Sequence, residues 1–233
     1  MLKTCMTEDK IEIGVDEVGR GPLFGRVYTA AVILPKDNES FDHSKMKDSK
    51  RFTSKKKIKD VSEYIKKNAI AYAITYSDEK QIDNTNILKA TMDSMHRSIN
   101  QIITDESSTH LLIDGNYFNP IYYASLDGMI PIEYTCVEKG DNTYSAIAAA
   151  SILAKVARDE YIGELCEQHP ELSEIYGINT NMGYGAKKHM DAIETHGVTE
   201  WHRLSFGPCK TAVQGKIEVQ GKTDKIEHEI NND

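Results

Sequence analysis

Ile13-Gly14-Val15-Asp16-Glu17-Val18-Gly19-Arg20-Gly21-Pro22-Leu23-Phe24-Gly25 joins an alternating apolar segment to a glycine-rich loop and puts two adjacent acids at the junction. Ile11, Ile13 and Val15 recur with period two, which predicts a β-strand. Asp16 then projects from the face opposite those residues, and Glu17 takes the next position as the strand ends. Two neighbouring carboxylates beside a sheet core are stable only when basic side chains, a shared proton or a divalent metal neutralise them. Gly19-Arg20-Gly21 supplies backbone N–H groups that approach a ligand with no Cβ in the way. Acids beside such donors point to phosphate bridged by metal. A turn cap with glycines at positive φ is the plain alternative. The spacing argues against a dinucleotide loop, because G-x-G-x-x-G needs glycine where this chain has Phe24.

Outward from this stretch, strand and helix signals alternate. Val27 to Leu34 is a nearly continuous apolar run closed by Pro35, a buried strand by its pattern. Lys36 to Ser49 reads as polar loop. Thr53 or Ser54 caps a helix through about Lys67 with an apolar stripe of Ile58, Val61 and Ile65, and Ile70, Tyr72, Ile74 and Tyr76 alternate as a strand. Leu88, Met92, Met95, Ile99 and Ile102 fall at helical spacing, and Leu111-Leu112-Ile113 is a short buried strand ending in Asp114-Gly115-Asn116. Ile130 to Val137 reads as one further strand, followed by Glu138-Lys139-Gly140-Asp141 and a long helix from near Tyr144 whose opening is small and apolar. Beyond Pro170 the chain turns helical and loop-rich, with Gly183-Tyr184-Gly185, a helix from about Ala186 to His196 stopped by Gly197, and then WHRLSFGP. The expected fold is α/β, a central mixed β-sheet flanked by helices with a C-terminal helical region from about 170. One domain is expected over residues 1–210, with a frayed, disordered tail over 211–233.

The bulk properties narrow the function class. A chain of 233 residues with net charge -8 has no overall basic footprint, yet between Lys45 and Lys59 eight basic residues stand against one acid, Asp48. Cys5, Cys136, Cys166 and Cys209 have neither disulfide-framework nor zinc-ligand spacing and read as free thiols. No charged-then-apolar leader is visible and no apolar run nears the roughly 18 residues that span a bilayer, so a cytoplasmic protein with no membrane contact is expected. Asp16, Glu17, Asp114 and Asp141 stand at strand ends or adjacent turns. Were they to converge, a pair of Mg2+ ions about 4 Å apart would satisfy them and leave room for substrate phosphate.

These residues also match a known family. The chain resembles type 2 ribonuclease H, ribonuclease HII, in GVDEVGRGPLFG, in DSK at Asp48 to Lys50, in LLIDGN at Leu111 to Asn116, and in KGD at Lys139 to Asp141. The resemblance continues through SAIAAASILAKVARDEYI, GYG with its following helix, and HRLSF at His202 to Phe206. It implies an RNase H-like fold and hydrolysis of the RNA strand in RNA/DNA hybrids or at ribonucleotides embedded in duplex DNA, leaving 3′-OH and 5′-phosphate ends. It implies Asp16, Glu17, Asp114 and Asp141 as ligands of two Mg2+ or Mn2+ ions. Gly19, Arg20 and Gly21 match the family's reader of the ribose 2′-OH, the group on which RNA and DNA sugars differ. Tyr184 matches the aromatic that packs on the sugar beyond the RNA–DNA junction. Lys50, and beside it Lys155 and Arg158, match positions that hold flanking phosphates; a salt bridge on the exposed side of a packed helix is the alternative for the last two.

Some positions depart from the family pattern: Phe24 and Arg26 replace a small apolar residue and a proline, and Ala186 stands where threonine often follows GYG. No clamp-binding peptide shows after Lys210, and a monomer is expected. Two other functions compete with this one: another two-metal nuclease of the same architecture, and a non-catalytic hybrid-binding protein.

Overall fold

In a computed structural model, which describes residues 2–212, the opening stretch is β1 (Ile11–Val18). The chain continues through β2 (Val27–Ile33), α1 (Lys55–Asn68), β3 (Ala71–Ser77), α2 (Glu79–Asn84), α3 (Ile87–Ile102) and β4 (Thr109–Asp114). After β5 (Tyr122–Ser125), β6 (Gly128–Pro131) and β7 (Glu133–Val137) come α4 (Ser145–Gln168), α5 (Pro170–Glu174), α6 (Ile178–Asn181) and α7 (Lys187–His196). Residues 207–212 are helical, so the tail expected from 211 otherwise lies outside the described residues, as does almost all of the segment searched for a clamp peptide. Among the described residues no helix is long and apolar enough to cross a membrane.

The chain divides into two compact units. The first comprises, among the described residues, 2–20, 26–77 and 87–160 and holds a five-stranded mixed sheet in the order β3-β2-β1-β4-β7. β1 pairs antiparallel with β2 and parallel with β4, and β4 pairs parallel with β7. The period of two sorts the central strands cleanly. Ile13, Val15, Leu111 and Ile113 face Met92, Met95 and Ile99 of α3 in one apolar core, each such buried side chain contributing about 1.5–3 kcal/mol. On the opposite face Leu112 packs with Tyr144 and Ile147 at the start of α4. The small residues at the head of α4, Ala146, Ala148, Ala149 and Ala150, are all buried, as a helix pressed on a sheet requires. Asp16 and Asp114 share the α4 face by the same alternation.

The strand read over Ile130 to Val137 is two strands. Pro131 has no N–H to give a ladder, so β6 ends there, the buried Ile132 donates to Ile121 O, and β7 starts afresh against β4. The structure adds α2, which the sequence pattern does not predict and which Asp78 and Gln81 start with a capping box.

Among the described residues the second unit comprises 21–25, 78–86 and 161–212. Its core joins Leu23 and Phe24 of the glycine-rich loop to Leu165, Leu172, Tyr176, Ile178 and Ile193. The unusual Phe24 is thus a core residue, its ring against Trp201 and His202. Arg203 of HRLSF is fully buried, with Nε donating to Gly25 O and a terminal nitrogen to Pro22 O, each at 2.8 Å. Ala186 is the N-cap of α7 in extended conformation with no side-chain cap bond. Restoring a cap hydroxyl there with Ala186→Thr is expected to stabilise the protein by about 1 kcal/mol, read as a higher thermal midpoint.

Candidate active site

The acids assemble in the first unit because of strand register. β1 and β4 run parallel with Val15 opposite Ile113, so Asp16 and Asp114 follow as neighbours at the carboxyl ends of adjacent strands. Glu17 joins them: one carboxylate oxygen from each of Asp16, Glu17 and Asp114 lies within 4.8 Å of the others. Asp16 is 4% exposed, and its Oδ1 accepts from Glu17 N at 2.7 Å. Asp114 Oδ1 accepts from Gly140 N at 2.7 Å, which Lys139 makes reachable by taking a left-handed turn at φ 54°. That bond ties β4 to the Lys139-Gly140-Asp141 turn. Asp141 stands outside the group of three, its Oδ1 accepting from Asn142 Nδ2 at 3.1 Å.

The electrostatics show that this arrangement is not at ease with its own charge. Burial, then Glu17 and Asp114, push the Asp16 carboxyl well above the ordinary aspartate range. Burial also raises Glu17, with Arg20 as a counterweight; the Arg20 guanidinium sits 3.8 Å from its carboxylate. Asp114 and Asp141 are raised by burial too, Asp141 further by Asp114, and the exposed Lys50 lowers both. Asp48, the one acid of the basic Lys45 to Lys59 stretch, raises the same two acids and meets Asn142 Nδ2 at 3.4 Å. Clustered, oxygen-only donors, one buried and the others half-buried, with raised pKa values fit a hard divalent cation.

Gly19 has φ +97°, and a Cβ there would lie 2.7 Å from Arg158 Cδ. Arg158 is therefore beneath the loop, 2% exposed, with Nε donating to Arg26 O at 3.3 Å. Lys155 pairs with Asp159 at 2.9 Å along α4, and Arg26 lies over the Tyr76 ring at 4.0 Å. In the second unit, Tyr184 is 50% exposed and its ring comes within 3.5 Å of where a Cβ on Gly21 would stand.

A mixed sheet with carboxylates converging at neighbouring strand ends defines the class of RNase H-like, metal-dependent nucleases. Solved structures bear out the fold. Ribonuclease H2 from Pyrococcus horikoshii OT3 superposes with a TM-score of 0.67 at 22% identity, over 86% of this chain and 96% of that one. Bst-RNase HIII in complex with Mn2+ gives a TM-score of 0.61 at 20% identity, over 91% of this chain and 72% of that one. The family model described as Ribonuclease HII matches residues 13–209. Ribonuclease HII of Bacteroides thetaiotaomicron is 45% identical over 206 residues, 88% of this chain and 94% of that protein. The chain belongs to the ribonuclease HII family. It is a metal-dependent endoribonuclease that acts on the RNA of RNA/DNA hybrids.

Proposed function

We propose that the enzyme cuts both the RNA strand of RNA/DNA hybrids and single ribonucleotides embedded in duplex DNA, leaving 3′-OH and 5′-phosphate ends. Asp16, Glu17, Asp114 and Asp141 would hold two Mg2+ or Mn2+ ions. Bound there, the ions supply an activated water and stabilise charge on the departing 3′-oxygen. The convergence of the buried Asp16 with the partly buried Glu17 and Asp114, which raises the Asp16 carboxyl, carries this reading. The Mn2+ of the Bst-RNase HIII structure supports the choice of ion.

The remaining residues bind and orient. Backbone donors of Gly19 and Gly21, with Arg20, engage the 2′-OH and its neighbouring phosphate. Tyr184 packs its exposed ring on the sugar beyond the junction. Lys50, exposed and already felt by Asp114 and Asp141, neutralises a flanking phosphate, and Lys155 serves another when it exchanges Asp159 for it. Arg158 acts from beneath, filling the space that keeps the Gly19 turn in place. The same reading has the protein working as a monomer in the cytoplasm, where its four cysteines, all free thiols, stay reduced.

The test is cleavage of three labelled substrates with Mg2+, Mn2+ or EDTA: a DNA duplex with one ribonucleotide, an RNA/DNA hybrid and an all-DNA control. Metal-dependent cutting on the 5′ side of the lone ribonucleotide, with the DNA intact, is the expected result. Cutting of the long hybrid alone would remove the embedded ribonucleotide from the substrate range and with it the roles given to the glycine loop and Tyr184.

A further inference from the structure

The Gly183-Tyr184-Gly185 turn is held at its backbone polar atoms. Asn181 Oδ1 accepts from Gly183 N at 2.8 Å and Asn181 O from Tyr184 N at 3.0 Å, while Gly183 O accepts from Leu23 N at 2.8 Å. Tyr184 O accepts from Ala186 N at 2.8 Å and from the Nδ1 of His189, one turn into α7, at 2.9 Å. His189 Nε2 in turn lies 3.1 Å from His202 Nε2, and His202 Nδ1 lies 2.9 Å from Thr199 N and 2.8 Å from Thr199 Oγ1.

Backbone groups fix the direction of this chain of bonds. Thr199 N–H only donates, so His202 Nδ1 accepts; Tyr184 O only accepts, so His189 Nδ1–H donates. With each ring neutral, the proton between them belongs to His202 Nε2 and is given to His189 Nε2. The rings are 0% and 1% exposed, packed against Tyr176, with the Phe24 ring edge-on to His202. Burial lowers both imidazoles, His202 to about 3 with His189 adding to the fall, which keeps the pair neutral and the tautomers fixed. Any buried pair of neutral imidazoles must settle on one donor and one acceptor. This one runs from the HRLSF histidine to the carbonyl of the exposed tyrosine.

We propose that His189 and His202 are a positioning pair that sets the backbone, and through it the ring, of Tyr184, and so govern how well the enzyme cuts at a single embedded ribonucleotide. The inference rests on the reading of Tyr184 as the residue that packs on the sugar beyond the RNA–DNA junction. Neither histidine touches substrate.

Two substitutions separate positioning from packing. In His189→Asn the side-chain amide N–H replaces Nδ1–H and still donates to Tyr184 O. In His189→Gln the amide replaces Nε2, keeps the bond from His202 and abandons Tyr184. The readout is the ratio of kcat/KM on the embedded-ribonucleotide duplex to that on the long hybrid, with a thermal melt of each variant. His189→Gln is expected to lower the ratio about five- to tenfold, the scale of one hydrogen bond, and His189→Asn to stay within about threefold of the parent. In a Tyr184→Ala background, His189→Gln should change the ratio no further.

Equal effects of the two substitutions, or none from either while Tyr184→Ala lowers the ratio, would overturn the positioning role and leave the tyrosine's role standing. An unchanged ratio in Tyr184→Ala would overturn both. Should neither histidine variant fold, imidazole 15N spectra of the parent protein decide: a proton on Nδ1 of His189 and on Nε2 of His202 is expected, and any other pair of tautomers overturns the relay.

Discussion

Asp16→Asn is expected to bind a labelled RNA/DNA hybrid about as well as the parent while cutting it at least about a thousandfold more slowly with either Mg2+ or Mn2+. The substitution keeps the side chain's shape, and Asn Oδ1 still accepts from Glu17 N as Asp16 does at 2.7 Å. What it removes is the charge most deeply buried among the acids, flanked by Glu17 and Asp114. Duplex affinity comes mainly from phosphate contacts elsewhere, so it survives. Gel shift and initial-rate measurements check the two halves, and equal turnover by the variant would sink the assignment of the site.

The same carboxyl makes a second, opposite prediction for stability. Its folded pKa lies above the ordinary value of 3.8, so it favours the folded state below that pH, and the contribution is lost as pH rises through the raised pKa. Metal-free parent protein is therefore strained at neutral pH. In EDTA at pH 7, Asp16→Asn should melt above the parent, and the gap should close on acidification toward pH 4. Adding Mn2+ should raise the parent's midpoint more than the variant's, because only the parent has a full set of charges to bind it. A nuclease that gains stability by losing an active-site acid shows the usual tension between function and folding.

Much of this site was legible because its chemistry lies on regular elements. Alternation along Ile11, Ile13 and Val15 was enough to put Asp16 on the face away from the α3 core, and the parallel pairing of β1 with β4 did the rest. α3 spans Ile87–Ile102, close to the helix read from Leu88, Met92, Met95, Ile99 and Ile102. What escaped depends on long-range partners. Pro131 divides one apparent strand because its two halves pair with different neighbours, β5 and β4. Arg158, read as a phosphate contact or a surface ion pair, is instead drawn under Gly19, and only the fold brings residues 139 positions apart together. His189 and His202 carry no local sign of their pairing; helical α7 and the bend after it make their rings meet.

Gly14→Ala is expected to be among the most damaging single-methyl changes available to this chain. Gly14 sits in the central strand, and an added Cβ would lie 2.5 Å from both Ala146 O and Ile147 N, backbone atoms at the start of α4. Backbone cannot rotate away as a side chain does, so either β1 bends or α4 retreats. Overpacking of this kind costs about 3 kcal/mol or more, a fall of roughly 6–12 °C in thermal midpoint for a chain of this size. Activity should fall beyond what the lost stability explains. Gly14 lies two residues from Asp16 on the same face, and the displaced helix end follows Asp141 by only a few residues, so an error of about 1 Å would reach the acids and cost about a hundredfold in rate. Gly163→Ala is the matched control: on the exposed side of α4, a Cβ there meets nothing within 4 Å. It should stabilise by about 1 kcal/mol through helix propensity alone and leave cleavage unchanged. Opposite shifts of the two midpoints, with rate lost only in Gly14→Ala at a temperature where both variants are folded, would show that close contact between β1 and α4 keeps the acids in register. A Gly14→Ala enzyme as stable and as fast as the parent would refute that.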